Sequence, residues 1–288
     1  MNVHLVYNPL SGRRQAPRTV AWAEAHCRAH GISLRVHRIE GPGHGTILAG
    51  QAVEAGAERV ICSGGDGTLN AVARGLLGTT VPLGVVPDGS GNGYSRSLGI
   101  PRDPRSAFLT ALNGQPRPMD VCYLDDLLFL GTAGIGFDAR VAHAFDRSST
   151  RGFWKYFAII LREIFQAGTI HVRVQAGGRE VEENVLMVVF ANTREFGNGA
   201  RIAPAARPDD GLADIKLVRK PGTFGLFKAF LDLYTGNADR SPYITTILAN
   251  EAFVEHDSSL AHVDGEPVHV NRKLRFSLER GALEVICP

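Results

Sequence analysis

Short apolar runs in the first 120 residues alternate with stretches in which apolar residues recur at helical spacing. The strand-like runs cover residues 3–7, 33–38, 60–62 and 83–86, and the helix-like stretches cover residues 17–30, 46–55, 68–77 and 104–113. Strands that alternate with helices favour a parallel sheet with helices on its faces. The pattern therefore predicts an open α/β domain with a mostly parallel sheet over residues 1–121.

Beyond residue 121 the pattern changes to closely spaced strands. The strand-like segments cover residues 127–132, 170–175, 185–192, 213–218, 243–248, 252–255 and 268–278, and two helix-like stretches, 152–166 and 223–234, interrupt them. Most neighbouring strands are too close for a helical crossover, so they should pair antiparallel. We expect a β-rich, sandwich-like second domain over residues 122–288, with a hairpin turn at Gly177 and Gly178. The tail, residues 280–288, is free to pack back on the first domain.

Composition and charge exclude several classes of function. The 288 residues are 44% hydrophobic and 21% charged, as is typical of a folded protein. The 31 basic and 29 acidic side chains leave a net charge of +2, so nucleic acid is not expected as a partner. The N-terminus begins with a strand pattern and not with a secretion signal. We therefore expect a cytoplasmic protein, whose apolar runs are too short to span a bilayer and allow only peripheral membrane contact.

Metal clusters built from cysteine and histidine are not predicted. Cys27, Cys62, Cys122 and Cys287 form no CxxC pair, and the ten histidines form no HExxH motif. These spacings fit neither a disulfide framework nor a zinc site, so reduced, mostly buried thiols are expected.

Three polar, glycine-rich loops follow predicted strands of the first domain. They are NPLSG at 8–12, GGDGTLN at 64–70 and PDGSGN at 87–92. Glycine lets the backbone approach a ligand closely, and a helix N-terminus favours an anion. Because the carboxyl ends of parallel strands meet at one edge of a sheet, the three loops should line one crevice for phosphate groups. For the second loop taken alone, a tight strand-to-helix connection capped by Asp66 or Thr68 is the alternative.

The motifs argue against two common phosphate sites. The chain has no GxxxxGK[ST] sequence, which argues against a P-loop ATPase. Gly89, Gly91 and Gly93 form GxGxG and not the GxGxxG of a dinucleotide fold.

Seven segments resemble, in chain order, the diacylglycerol kinase catalytic domain superfamily, which includes bacterial lipid kinases and the sphingosine and ceramide kinases. The segments are NPLSG (8–12), GGDGTLNAVARGL (64–76), VVPDGSGNGYSRSLGIP (85–101), MDV (119–121), GIGFDARV (134–141), ANTREFGNGARIAPAARPDDGLADI (191–215) and DGE (264–266). GGDGT is shared with NAD kinases, whereas the GSGN loop, GIGFDA and the late DGE are together specific to lipid kinases. The resemblance covers nearly the whole chain. It implies ATP- and Mg²⁺-dependent transfer of a γ-phosphoryl group to a lipid hydroxyl.

The resemblance also implies roles for individual residues. Glu266 would be the general base, Asp264 would support it, and Asp66 would lie near the phosphates with Mg²⁺. The residues expected to contact ATP are Asn8, Gly64, Gly65, Asp66, Gly67, Thr68, Asn70, Ser90 and Asn92. A structural Mg²⁺ would be held by the Asp210 carboxylate and by the backbone carbonyls of Arg207 and Leu212.

Local alternatives and departures accompany these assignments. Asp264-Gly265, flanked by strand patterns, is typical of a plain hairpin turn, and Asp210-Gly211 is typical of a loop before a strand. Gly93 stands where many bacterial relatives carry an aspartate, so the acidic network near the phosphates is reduced to Asp66 and Asp120. The family's triple-glycine segment is altered here to Gly197, Asn198 and Gly199.

The stretch 152–166 is rich in aromatic residues. Trp154 and Tyr156 could face a lipid or a membrane surface, and Arg147, Arg151 and Lys155 could meet anionic headgroups. A core-packing amphipathic helix with a solvated basic face is the favoured alternative.

Taken together, the sequence predicts an ATP- and Mg²⁺-dependent lipid kinase that docks peripherally at the inner membrane surface. The acceptor is diacylglycerol-like or sphingoid-like, and a homodimer is compatible with the sequence. The alternatives are a kinase for a soluble acceptor such as NAD, because GGDGT is common to both classes, and a non-catalytic regulator that binds nucleotide or lipid.

Overall fold

The computed structural model describes residues 1–11, 16–89, 91–146, 163, 167–197 and 199–288. The chain divides into two compact units. The first comprises Met1–Met119 and Gly281–Pro288, and the second comprises Asp120–Arg280. The predicted aromatic stretch 152–166, with Trp154 and Tyr156, lies outside the described residues except for Glu163, as do Arg147, Arg151 and Lys155.

Strands and helices alternate at the start of the chain, and strands dominate thereafter. In chain order the strands are β1 (Asn2–Tyr7), β2 (Ser33–Arg38), β3 (Arg59–Gly64), β4 (Leu83–Pro87), β5 (Gln115–Leu124), β6 (Leu127–Phe129), β7 (Thr132–Gly136), β8 (Ile170–Ala176), β9 (Arg179–Val185), β10 (Met187–Ala191), β11 (Ala213–Val218), β12 (Ile244–Ala249), β13 (Glu251–His256), β14 (Leu260–Val263), β15 (Glu266–His269) and β16 (Lys273–Cys287). The helices are α1 (Ala16–Ala29), α2 (His44–Glu54), α3 (Asp66–Arg74), α4 (Gly93–Ser97), α5 (Pro104–Asn113), α6 (Phe137–Asp146) and α7 (Thr223–Thr235), and Ala238–Arg240 forms a 3₁₀ turn.

The first unit is an open parallel sheet with the strand order β2-β1-β3-β4, followed by the end of β16. All five residues of β4 are buried, as expected for a strand covered on both faces. The chain passes from β1 to β2 on one side and then crosses to β3 on the other side, so the strand order reverses between β1 and β3. Ligands of open α/β sheets bind at the carboxyl ends of the strands beside such a reversal.

The second unit is a sandwich of two antiparallel sheets. One sheet has the order β12-β11-β10-β7-β14-β15. The other contains β16-β13-β8-β9, with β5 beside β16 and β6 beside β5. Aromatic side chains from the two sheets meet in the core, where the rings of Phe190 and Phe276 stack with centroids 5.2 Å apart. The predicted fold class, an open α/β domain plus an antiparallel sandwich, is confirmed.

Several local expectations can be compared with the structure. Gly177 and Gly178 have φ values of 57° and 72° and join β8 to β9, as a two-residue hairpin turn requires. The predicted strand 127–132 is instead two strands, because Leu130 and Gly131 leave the ladder between β6 and β7. All four cysteines are free and buried. Within the described residues, no helix is both long and apolar enough to cross a bilayer.

Candidate active site

The structure brings together the loops that follow β1, β3 and β4. The side-chain amide of Asn8, after β1, donates a hydrogen bond of 3.1 Å to the Thr68 hydroxyl. The backbone N–H of Gly93, after β4, donates a hydrogen bond of 3.2 Å to the Asp66 carboxylate. The glycine loop after β3 therefore lies between the other two, at the edge of the sheet where the strand order reverses.

Glycine is required where two of these loops touch. A Cβ atom on Gly89 would lie 2.6 Å from the Cα atom of Gly65, and a Cβ atom on Gly64 would lie 2.5 Å from the Thr68 Cβ. Neither distance is tolerable, so an L side chain at Gly89 would push the two loops apart, and one at Gly64 would displace Thr68. This close backbone approach matches the cradle that a phosphate chain needs.

Helix α3 begins at Asp66, inside the GGDGT motif. Its N-cap residue Gly65 is extended and, as a glycine, has no side chain with which to cap the first turn. The Thr68 hydroxyl, one of the two alternative caps, accepts from Asn8, and the Asp66 carboxylate accepts from Gly93. The N-terminal end of α3, which carries a partial positive charge, therefore begins at a glycine beside the other two loops, and this arrangement suits an anion.

Two other predicted ATP contacts are less direct. Asn92 has φ 51°, and its side chain closes its own loop by accepting from the Gly89 N–H at 3.0 Å and donating to the Gly89 carbonyl at 2.8 Å. Its amide therefore shapes the loop. Asn70 is half-buried in α3. Ser90, another predicted ATP contact, lies outside the described residues, as does Gly12 of the first loop.

Asp88 is a buried carboxylate that the sequence reasoning did not single out. It is 9% exposed and accepts a hydrogen bond from the backbone N–H of Ala16, the first residue of α1. Burial raises its pKa, and the Ala16 bond opposes this only in part. Among the described residues its Oδ2 atom has no hydrogen-bond partner. A carboxylate in this environment needs a proton or a cation, so its position beside the phosphate loops fits a magnesium-bearing ligand.

The DGE segment of the second unit is a tight hairpin turn. Asp264 and Gly265 have φ values of 49° and 82°, and Val263 pairs with Glu266 across the turn from β14 to β15. The turn that was an alternative to a catalytic role is therefore present, and it places Glu266, which is exposed, at the first position of β15. The turn geometry and a catalytic Glu266 are compatible.

The Asp264 carboxylate anchors this turn. It accepts hydrogen bonds from three backbone N–H groups, those of Leu130 at 2.9 Å, Gly131 at 2.7 Å and Thr132 at 3.2 Å. Both carboxylate oxygens are engaged, and the three donors belong to buried residues, two between β6 and β7 and one at the start of β7. Asp264 therefore supports Glu266 by fixing the turn that carries it.

Asp138 and His262 lie behind the same turn and were missed by the sequence reasoning as site residues. The His262 Nε2 atom lies 3.1 Å from Asp138 Oδ2, and the Gly265 N–H donates to His262 Nδ1 at 3.3 Å. A Cβ atom on Gly134 would lie 1.8 Å from Asp138 Oδ2. Gly134, the first glycine of GIGFDA, thus leaves room for the Asp138 carboxylate. The spacing of a glycine and an aspartate four residues apart in this motif was the sequence signal that could have identified Asp138.

The predicted structural cation site has oxygen donors, although its carboxylate is partly occupied. Asp210 accepts from the Leu212 N–H at 3.0 Å, while the buried Asp120 accepts from the Gly211 N–H at 2.7 Å. Arg207 lies in the same exposed loop. No group of three or more histidine, cysteine or acidic side chains gathers in the described parts of the chain. A cation here would therefore depend on backbone carbonyls and one carboxylate, a donor set that suits a hard ion such as Mg²⁺.

A cavity of about 460 Å³ opens in the second unit. Its lining comes from α6, from the start of β8 and from residues 257–260. The Arg140 guanidinium and the Glu163 carboxylate form an ion pair of 3.0 Å on its wall. None of the predicted site residues lines it, although its volume is typical of a small-molecule pocket.

Comparison with known proteins assigns the chain to a family. The diacylglycerol kinase catalytic domain matches residues 2–124, and the YegS C-terminal NAD kinase beta sandwich-like domain matches residues 131–287. The chain belongs to the diacylglycerol kinase catalytic domain family. The predicted family and the predicted enzyme class, a lipid kinase and hence a phosphotransferase, are thereby confirmed.

Similar members of this lipid kinase family align along nearly the whole chain. A protein of Chromohalobacter salexigens named "Probable lipid kinase YegS-like" is 30% identical over 288 residues, covering 97% of this chain and 92% of the relative. A "Diacylglycerol kinase" of Mycobacterium tuberculosis is 29% identical over 268 residues, covering 90% and 86%. The crystal structure of a diacylglycerol kinase from Bacillus anthracis shares the fold, with a TM-score of 0.76 at 21% identity over 100% of this chain and 97% of that one.

Proposed function

We propose that this lipid kinase family member transfers the γ-phosphoryl group of ATP to the hydroxyl of a membrane lipid, with Glu266 as the general base. The interlocked glycine loops at the strand-order reversal carry the proposal. The Gly65 backbone lies against Gly89, and the Asn8 side chain donates to the Thr68 hydroxyl. Together these contacts form a cradle that suits a chain of phosphate groups.

The first unit would bind the nucleotide. Backbone amides of Gly64, Gly65 and Gly67 and the N-terminal end of α3 would hold the phosphates. The carboxylates of Asp66 and Asp88 would hold Mg²⁺ beside them. This role would account for the buried Asp88 oxygen in the third loop that has no hydrogen-bond partner among the described residues. When bound, the ion would neutralise charge on the transferring phosphoryl group.

The second unit would supply the base. The exposed Glu266 carboxylate would accept the proton of the acceptor hydroxyl as the hydroxyl oxygen forms its bond to the γ-phosphorus. The bond from that phosphorus to the bridging oxygen breaks, and ADP leaves with the electron pair. Asp264 would instead hold the turn that carries Glu266, because both of its oxygens accept backbone N–H groups.

Diacylglycerol is the acceptor class that the relatives' names favour, and a sphingoid base is the second. The chain would meet such a lipid from the cytoplasm, at the inner membrane surface. The structural Mg²⁺ would be held by Asp210 with the carbonyls of Arg207 and Leu212, and would stiffen the loop that the Asp120 carboxylate also fixes.

A transfer assay with radiolabelled ATP tests the proposal. The acceptors are diacylglycerol, phosphatidylglycerol, a sphingoid base and ceramide in vesicles, with NAD in detergent-free solution as the soluble acceptor. We expect labelled lipid with the wild type and none with Glu266→Gln, whose ATP binding, measured by calorimetry, should survive. Full turnover by Glu266→Gln would remove it from the mechanism. Label on NAD alone would favour the soluble-acceptor kinase, and tight ATP binding without any transfer would favour a regulator.

A further inference from the structure

The hairpin that carries Glu266 is held at two separate points. Asp264, its first turn residue, is fixed by the amides of the β6–β7 segment. Gly265, its second turn residue, is held by the His262 ring, and that ring is held by Asp138. We infer that Asp138 and His262 are positioning residues that set the place of Glu266, an inference that rests on the proposed role of Glu266 as the base.

The hydrogen-bond pattern fixes the tautomer of His262. A backbone N–H can only donate, so His262 Nδ1 must accept from Gly265 with its lone pair. Nε2 therefore carries the proton and donates to the Asp138 carboxylate. One neutral tautomer satisfies both contacts, and the carboxylate selects that tautomer.

Asp138 is itself held in place. Its Oδ1 atom accepts from the Ala139 N–H at 2.8 Å in the first turn of α6, and its Oδ2 atom faces His262. The two side chains are 9% and 4% exposed. The space occupied by the carboxylate exists because residue 134 has no Cβ.

His262 cannot be the base in place of Glu266. Both of its ring nitrogens are engaged, and Phe196 packs edge-on against the ring, with centroids 6.3 Å apart. Because the His262 ring is buried and has no nitrogen left for a substrate, it would act through the residue to which it is hydrogen-bonded. That residue is Gly265, whose φ of 82° lies where glycine moves easily once its N–H is released. Glu266 follows it in the chain.

Two substitutions of His262 test separately its contact with the Gly265 N–H and its contact with Asp138. The Oδ1 atom of an asparagine can occupy the place of His262 Nδ1 and accept from Gly265, whereas the amide of a glutamine reaches toward Asp138 and leaves the Gly265 N–H unpaired. We expect His262→Gln to lower kcat about tenfold to a hundredfold, with KM for ATP unchanged. His262→Asn should recover most of the wild-type kcat, and both variants should melt at similar temperatures.

Two variants at other positions test the same contact without changing the His262 ring. Asp138→Ala should behave like His262→Gln, because the imidazole can then place its proton on Nδ1, against the Gly265 N–H. Gly134→Ala should do the same by displacing the carboxylate.

Hydrogen exchange of the peptide 260–269 supplies a readout that does not depend on turnover. The exchange should be faster in His262→Gln than in the wild type and close to wild type in His262→Asn. A kcat equal to that of the wild type in every His262 variant would overturn the inference. So would equal losses of kcat in His262→Asn and His262→Gln that run in parallel with a fall in melting temperature. If instead the wild type transfers no phosphate or Glu266→Gln remains fully active, the proposed function fails, and the exchange data still decide whether His262 holds the turn.

Discussion

Replacing Asp264 separates an anchoring role from a chemical one. Its carboxylate accepts three backbone N–H groups from buried residues. Hydrogen bonds to a charged group contribute about 1.5 kcal/mol or more each, so Asp264→Ala should lower the unfolding free energy of the second unit by about 4 kcal/mol. Asp264→Asn keeps one acceptor oxygen but turns an NH₂ group toward a donor, and should cost about 2 kcal/mol.

Asp125 provides a matched control. It also has a positive φ, 52°, and its carboxylate accepts one backbone N–H, from Arg275 at 2.8 Å, at an exposed site. Asp125→Ala should therefore cost about 1 kcal/mol. Glu266→Gln, which leaves the Asp264 anchor intact, should unfold like the wild type.

Urea unfolding followed by far-UV circular dichroism measures these differences, and hydrogen exchange of the peptide 127–136 reports on the three amides directly. Exchange should accelerate in Asp264→Ala before global unfolding. A variant Asp264→Asn that is as stable as the wild type, yet as inactive as Glu266→Gln, would refute the reasoning and return Asp264 to the chemical step.

Three further outcomes follow from the first unit. Gly89→Ala should raise KM for ATP at least tenfold, because its Cβ would collide with the GGDGT loop. The control Gly50→Ala, which has open space around residue 50, should leave KM unchanged. Steady-state kinetics measure both values, and equal KM values would contradict the proposed phosphate cradle. Asp66→Ala should shift the Mg²⁺ dependence of turnover, and an unchanged magnesium titration would argue against its role. Burial lowers the pKa of His4 and of His37 below 6.5 in the folded protein. As the pH falls, the unfolded chain therefore takes up protons at a higher pH than the folded protein does. The melting temperature should fall as the pH drops from about 6.5 toward the folded pKa values. His4→Gln should weaken that fall, and an identical pH profile would count against it.

Much of the fold was predictable because its signals are local. The helix starting at Pro104 shows this, since Asp103 caps it by accepting from the Ser106 N–H at 2.9 Å, with proline at the first helical position. The hairpin turn at Gly177 and Gly178 is a second case, because adjacent glycines permit the positive φ that the turn needs. Helix α6 was not among the predicted helices, and it begins inside the GIGFDA motif.

The candidate site was predictable to a different extent in the two units. The phosphate loops could be found by motif because each follows a strand directly, and parallel strands bring their carboxyl ends to one edge. The role of Asn92 could not be predicted from the motif. Its φ of 51° and its hydrogen bonds to Gly89 direct its amide into its own loop. Asp88 also went unnoticed, because its burial against the start of α1 depends on how the helix packs.

The sequence alone determined the alternation of strands and helices, the change to an antiparallel sandwich and the places where glycine permits phosphate to approach. These depend on residues that are neighbours in the chain. Only the tertiary structure decided what Asp264 and His262 do, because Asp264 meets an amide 134 residues away and His262 meets a carboxylate 124 residues away. Such contacts arise from the pairing of β14 with β7, and strand order between distant segments follows from packing of the whole sandwich and not from any local pattern.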